Sequence, residues 1–213
     1  MKPFPKIAAL VVVVTAIVSA CTNDSAGKDE PETSSRSVCN SFAKAPEAAA
    51  ALREVTGTDD FLESRSEPDE TLRLLREADG KLEHGELSGS PYCRLQSAED
   101  ESQVLTISFR EALAVNKSDA EDEKHFIFYQ TGESAYSSEY TSTIYFKCRM
   151  KNPSKEIIIH GDLERESKVD VSAQRLTADN ILLLNAAAQK VSTELGCADP
   201  NLAAGMPKAT SER

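Results

Sequence analysis

The sequence predicts an α+β fold: an antiparallel sheet of about four to five strands, with N-terminal helices and a long C-terminal helix packed on one face. Two observations carry this reading. Apolar residues recur at helical spacing near both ends of the chain, whereas in the middle they alternate with polar ones at the period of a strand. The two patterns are also segregated, helices first and last with a run of strands between, where a parallel sheet would interleave them.

The elements follow in order. Residues 45–55 are Ala-rich, open with Pro46-Glu47 and close at Gly57, the asymmetry of proline and acid early and glycine just past the end. A second helix begins near Pro68-Asp69-Glu70, carries Leu72, Leu75 and Leu82, and is interrupted at Gly80. In residues 104–110, Leu105, Ile107 and Phe109 alternate with Thr106, Ser108 and Arg110, a half-buried strand. Residues 125–130 make a more apolar strand candidate. Residues 143–150 alternate again, with Ile144, Phe146, Cys148 and Met150 on one face and Tyr145, Lys147 and Arg149 on the other. Asn152-Pro153-Ser154 is a turn into a strand over 156–163. The last helix has Thr177 as its expected N-cap, Asp179 in its first turn and Gly196 past its end. Ile181, Leu184, Ala188, Val191 and Leu195 form its apolar stripe.

The first residues point to a destination. Lys2 and Lys6 precede an apolar run over 7–18, broken by Thr15. That run is short for a permanent span, which needs about 20 apolar residues, and suits a signal peptide. Val18-Ser19-Ala20-Cys21 resembles the bacterial lipobox, which implies cleavage before Cys21 and lipid on that cysteine. Residues 1–20 are then the lipoprotein signal peptide. Residues 21–37 are small and polar and form a disordered tether. Residues 38–197, about 160 in number, are one globular domain, and 198–213 are a loose polar tail.

Cysteine arithmetic agrees with export. Of five cysteines, removing Cys21 leaves an even set, Cys39, Cys93, Cys148 and Cys197, suited to two disulfides in an oxidising compartment. Three connectivities are possible. Cys39–Cys93 with Cys148–Cys197 is favoured, because each bond joins a terminal helix to the strand nearest it in sequence. Cys39–Cys148 with Cys93–Cys197, and Cys39–Cys197 with Cys93–Cys148, remain open.

The lipobox, the helix between Cys39 and Gly57, the strand ending Tyr145-Phe146-Lys147-Cys148 and the final helix ending Leu195-Gly196-Cys197 together resemble the small two-disulfide lipoproteins of actinobacteria. These motifs are structural. The resemblance implies a surface lipoprotein and brings no active site with it.

Charge narrows the partners. The formal net charge is −11, and residues 1–20 hold two of the 24 basic residues and none of the 35 acidic ones, so a chain beginning at Cys21 carries −13. Nucleic acid is disfavoured, because phosphate contacts need a basic footprint. The expected membrane contact is through lipid on Cys21.

No motif selects a reaction. Ser41-Phe42-Ala43-Lys44 matches S-x-x-K, but the K-T-G partner is missing, with Gln130-Thr131-Gly132 the nearest approach. Gly132-Glu133-Ser134-Ala135-Tyr136 begins like a nucleophile elbow and lacks its second glycine. His84, His125 and His160 have no zinc-type spacing. The acidic runs 99–101 and 119–123 lack the spacing of a calcium loop. No cofactor, metal site or catalytic residue is therefore expected. The sequence points to a non-catalytic envelope protein that binds a ligand or partner, with an exported hydrolase whose site no motif encodes as the alternative.

Overall fold

The computed structural model describes residues 33–79, 91–115 and 126–210 of the chain. Within them the fold is α+β, with strands β1 (Thr33–Ser34), β2 (Asp60–Leu62), β3 (Cys93–Ser97), β4 (Gln103–Ala112), β5 (Ile127–Gln130), β6 (Ser134–Ser137), β7 (Thr141–Lys151), β8 (Ser154–Arg165) and β9 (Lys208–Ala209). They form one sheet in the order β1-β2-β3-β4-β8-β7-β6-β5-β9. Every pairing is antiparallel. The expectation of four to five strands is thus too low. Three of the expected strands, β4, β8 and β7, are its centre, and the fourth, β5, lies next to one edge. The additions β1, β2, β3, β6 and β9 are two to five residues long, short stretches in which a period is hard to read.

The helices form where the local chemistry allows. Pro46 opens α2 (Pro46–Thr56), and Gly57 closes it at φ 77° with its N–H donating to the Arg53 carbonyl. Proline and two acids likewise start α3 (Pro68–Glu77), which buries Leu72 and Leu75. Gly80 and Leu82 lie outside the described residues. Before α2, a four-residue turn, α1 (Val38–Ser41), holds Cys39, Asn40 and Ser41 all at positive φ. Left-handed backbone costs roughly 1–2 kcal/mol per residue.

The final helix, α4 (Ala173–Leu195), begins a turn earlier than expected. Its N-cap is Ser172, whose hydroxyl accepts from the Arg175 N–H. Thr177 does not cap: its hydroxyl donates back to the Ala173 carbonyl at 2.8 Å. Asp179 is consequently inside the helix, and it is buried. The stripe Ile181, Leu184, Ala188, Val191 and Leu195 is buried as the spacing predicts, and Leu182, Leu183 and Ala187 are buried as well. The helix is covered on more than one side, because β7 lies under it and α2 beside it.

One core fills the space between sheet and helices. Ile107, Ile144, Phe146, Ile159 and Leu163 meet Leu52, Leu183 and Leu184 there. Gly161 lies between Phe109 and Ile144 in register. A Cβ on it would stand 2.5 Å from the Phe109 ring, so only glycine lets that ring lie against β8.

Both chain ends of the domain differ from expectation. Thr33 and Ser34, assigned to the tether, pair with Phe61 and Asp60. The tail is not loose over residues 198–210. Ala198 bridges to Arg149, and Lys208–Ala209 pairs with β5. Backbone bonding, which needs no apolar side chain, holds these polar segments.

Candidate functional site

Two disulfides staple the helical side. Cys39 bonds Cys93 and Cys148 bonds Cys197, the pairing that proximity in sequence favoured. Cys39, Cys93 and Cys148 are fully buried, while Cys197 is partly exposed.

The opposite face of the sheet is where chemistry collects. Residues in register across antiparallel strands share a face, so Ser108 and Arg110 of β4, His160 and Asp162 of β8, Thr143 and Tyr145 of β7 and Tyr136 of β6 all point away from α4. Among the described residues no helix covers them. Tyr136 and Tyr145 centre a second apolar cluster with Ala112, Val115, Phe126, Phe128 and Ile158.

His160 is the hub. The Tyr145 ring stacks on it, centroids 4.4 Å apart and planes 9° from parallel. Arg110 Nε donates to His160 Nδ1 at 2.9 Å. Nδ1 must therefore be the acceptor, which places the ring proton on Nε2. That atom faces Asp162 Oδ1 at 3.1 Å. Thr143 Oγ1 donates to the same carboxylate oxygen at 2.9 Å, and Arg110 Nη2 stands 3.8 Å from the other. A histidine beside an aspartate is half of a hydrolytic arrangement. Here, though, both ring nitrogens are engaged, and neither is placed to take a proton from a nucleophile while Arg110 holds its bond.

Next to this cluster is a cavity of about 290 Å³, lined by Phe126, Tyr136, Thr141, Ser142, Thr143, Asp162, Leu163 and Glu164. Phe126 and Tyr136 meet edge-to-face with centroids 5.0 Å apart. The volume lies just below the range for ligand sites, about 300–1,000 Å³. Polar groups that converge beside aromatic walls are the usual means of orienting a small ligand.

No family model, curated protein or solved structure matches the chain.

The motif fragments do not assemble into a site. Ser41 sits in the left-handed α1 turn and Lys44 follows it, its N–H on the Ser41 carbonyl at 3.3 Å. Ser134 opens β6 after a turn at Gly132, and a strand follows where an elbow would need a helix. Glu99, Asp100 and Glu101 lie in the β3–β4 turn, where Asp100 accepts from Ser102. Cys21, His84, His125 and the 119–123 acidic run lie outside the described residues. Among the described residues no three His, Cys, Asp or Glu side chains converge as a metal site would require. Sequence reasoning passed over the His160 cluster. The available signal was parity: Thr143 and Tyr145 alternate with the core set on one strand, and His160 and Asp162 do so on the next, across a short turn.

A second ionisable group stands apart, on the helical side. Asp179 is fully buried. Arg175 Nε is 2.9 Å from its Oδ2 and also bonds Glu54 Oε2 at 2.8 Å. Burial pushes the Asp179 carboxyl up to about 6 from an ordinary 3.8, against the pull of Arg175 and with further upward pressure from Glu54. Glu54 moves down, because its hydrogen bond from Arg175 favours the ionised form. Between about pH 4 and 6 the folded protein thus holds a proton on Asp179 that the unfolded chain, with its carboxyl near 3.8, has largely released. Stability from this group falls as pH rises through that window and levels off above it. The difference corresponds to roughly 3 kcal/mol at neutral pH. Asp179→Asn is expected to raise stability at pH 7, with Arg175 keeping Glu54, and to matter little at pH 4. Urea denaturation of both proteins at the two values checks this; a gain independent of pH would contradict it.

Proposed function

We propose that the chain is a lipid-anchored extracytoplasmic envelope protein of the two-disulfide lipoprotein type, which binds a ligand on the sheet face that no helix among the described residues covers, without transforming it. The carrying observation is the cavity between Phe126, Tyr136, Thr143 and Asp162, beside a histidine whose two nitrogens are already engaged. The Val18 to Cys21 segment, the preceding apolar run and the two disulfides support export and anchoring. No helix among the described residues is long and apolar enough to cross a membrane. Attachment is assigned to lipid on Cys21, and more than one acyl chain is needed for it to be stable.

Two measurements test this. Cys21→Ala is expected to abolish incorporation of radiolabelled fatty acid; equal labelling of both proteins would contradict the anchor. A fragment-sized small-molecule panel, followed by amide chemical shifts of the domain, is expected to perturb residues around Phe126, Tyr136 and Thr143. The histidine–aspartate contact favours the hydrolase as the second reading. Turnover of ester, peptide or glycoside substrates that His160→Gln abolishes would establish that reading instead.

A further inference from the structure

We infer that the outer-face cavity takes an organic cation, an ammonium carried on small apolar substituents. This rests on the cavity being a binding site, as proposed above, and adds the chemistry of its ligand. Two carboxylates line the cavity, Asp162 and Glu164, and among the described residues no basic one does. Asp162 is committed to His160, Thr143 and, at 3.8 Å, Arg110. Glu164 is exposed and has no ion pair among the described residues, and the residues in register with it, Thr106 and Thr141, are neutral. The cavity therefore has a carboxylate that no basic side chain among the described residues pairs with, open to a cationic ligand.

The walls favour the same occupant. The Phe126 and Tyr136 rings, 68° from parallel, both line the space. Aromatic faces attract cations, and most strongly when the cation is partly desolvated. An anion would meet two carboxylates and, on a chain beginning at Cys21, a net charge of −13. A neutral apolar ligand would use the rings and leave Glu164 unanswered. An ammonium with methyl or methylene substituents uses both. Such a group exists free in solution and on lipid headgroups, and the cavity chemistry is the same for either.

The test uses choline and its uncharged carbon isostere, 3,3-dimethylbutan-1-ol, titrated into the disulfide-intact domain and followed by amide shifts. Choline is expected to shift residues around Phe126, Tyr136 and Glu164, and the isostere to bind at least about fivefold more weakly. Glu164→Gln lies on an exposed position and should remove that preference without unfolding the protein. Phosphatidylcholine vesicles, compared with free choline, separate a headgroup from a soluble ammonium. Equal binding of choline and isostere would overturn the cation and leave the binding site standing. No shift at the cavity with either probe, with choline vesicles or with the fragment panel would remove the site itself.

Discussion

Replacing Cys148 and Cys197 together by serine is expected to cost about 2–5 kcal/mol of stability, a large share of the roughly 5–15 kcal/mol of a typical domain. Cys148 is fully buried on the core face of β7, between Phe146 and Met150. Cys197 follows Gly196, whose left-handed conformation ends α4. The bond closes a separation of 49 residues and thereby limits the unfolded chain. It also holds the C-terminal end of α4 on the sheet, where the Ala198 N–H donates to the Arg149 carbonyl at 2.9 Å. The bond Cys39–Cys93 closes a similar separation of 54 residues, so its loss should cost a comparable amount. The two losses differ in where they loosen the fold. Without Cys148–Cys197, protease cleavage should appear first in the last turns of α4; without Cys39–Cys93, before α2. Urea midpoints and limited proteolysis of the two double variants check this. An unchanged midpoint, or identical cleavage in both, would contradict it.

Asn185→Ala is expected to cost about 1–3 kcal/mol and to release the segment after α4. Asn185 is buried in the middle of that helix, where an amide is unfavourable unless its hydrogen bonds are met. Here they are met by two segments at once. Thr131 Oγ1 donates to Asn185 Oδ1 at 2.6 Å. Asn185 Nδ2 donates to the Ala203 carbonyl at 2.8 Å and the Gly205 carbonyl at 3.2 Å. The Ala203 N–H in turn donates to Thr131 Oγ1 at 2.9 Å. Removing the amide strands the buried Thr131 hydroxyl, an unmet group that costs about 1–3 kcal/mol, and takes a donor from the half-buried Gly205 and Ala203 carbonyls, of which Ala203 keeps the one from Gln189 Nε2. Lys208, exposed in β9, is a convenient reporter: trypsin should cut there much faster in the variant. Unchanged protection at Lys208 would show that the strand pairing alone holds the segment.

The two staples were legible in the sequence to different depths. Cys148 shares the parity of Ile144 and Phe146, so its inward direction followed from alternation, and the partner from proximity along the chain. Nothing in residues 198–210 signalled order, because they are held by the Asn185 amide and by backbone groups, which carry no periodicity. The N-terminus of α4 misled for a related reason. Ser172 and Thr177 are both good caps, and local preference does not choose between them. The buried environment over the Asp179 turn comes from α2, more than a hundred residues earlier. The His160 cluster was hidden in the same way: the histidine and its aspartate alternate on one strand, while Arg110 and Tyr145 arrive from two others.

The sequence by itself determined the class of fold, the long central strands, the final helix and the cysteine frame, since period, capping and pairing of thiols act locally or by count. Only the tertiary structure decided the width of the sheet, the start of the last helix, the order of the chain beyond Cys197 and the cavity beside His160. Each of these depends on hydrogen bonds and burial between residues far apart in the chain, and such contacts leave no spacing in the sequence to read.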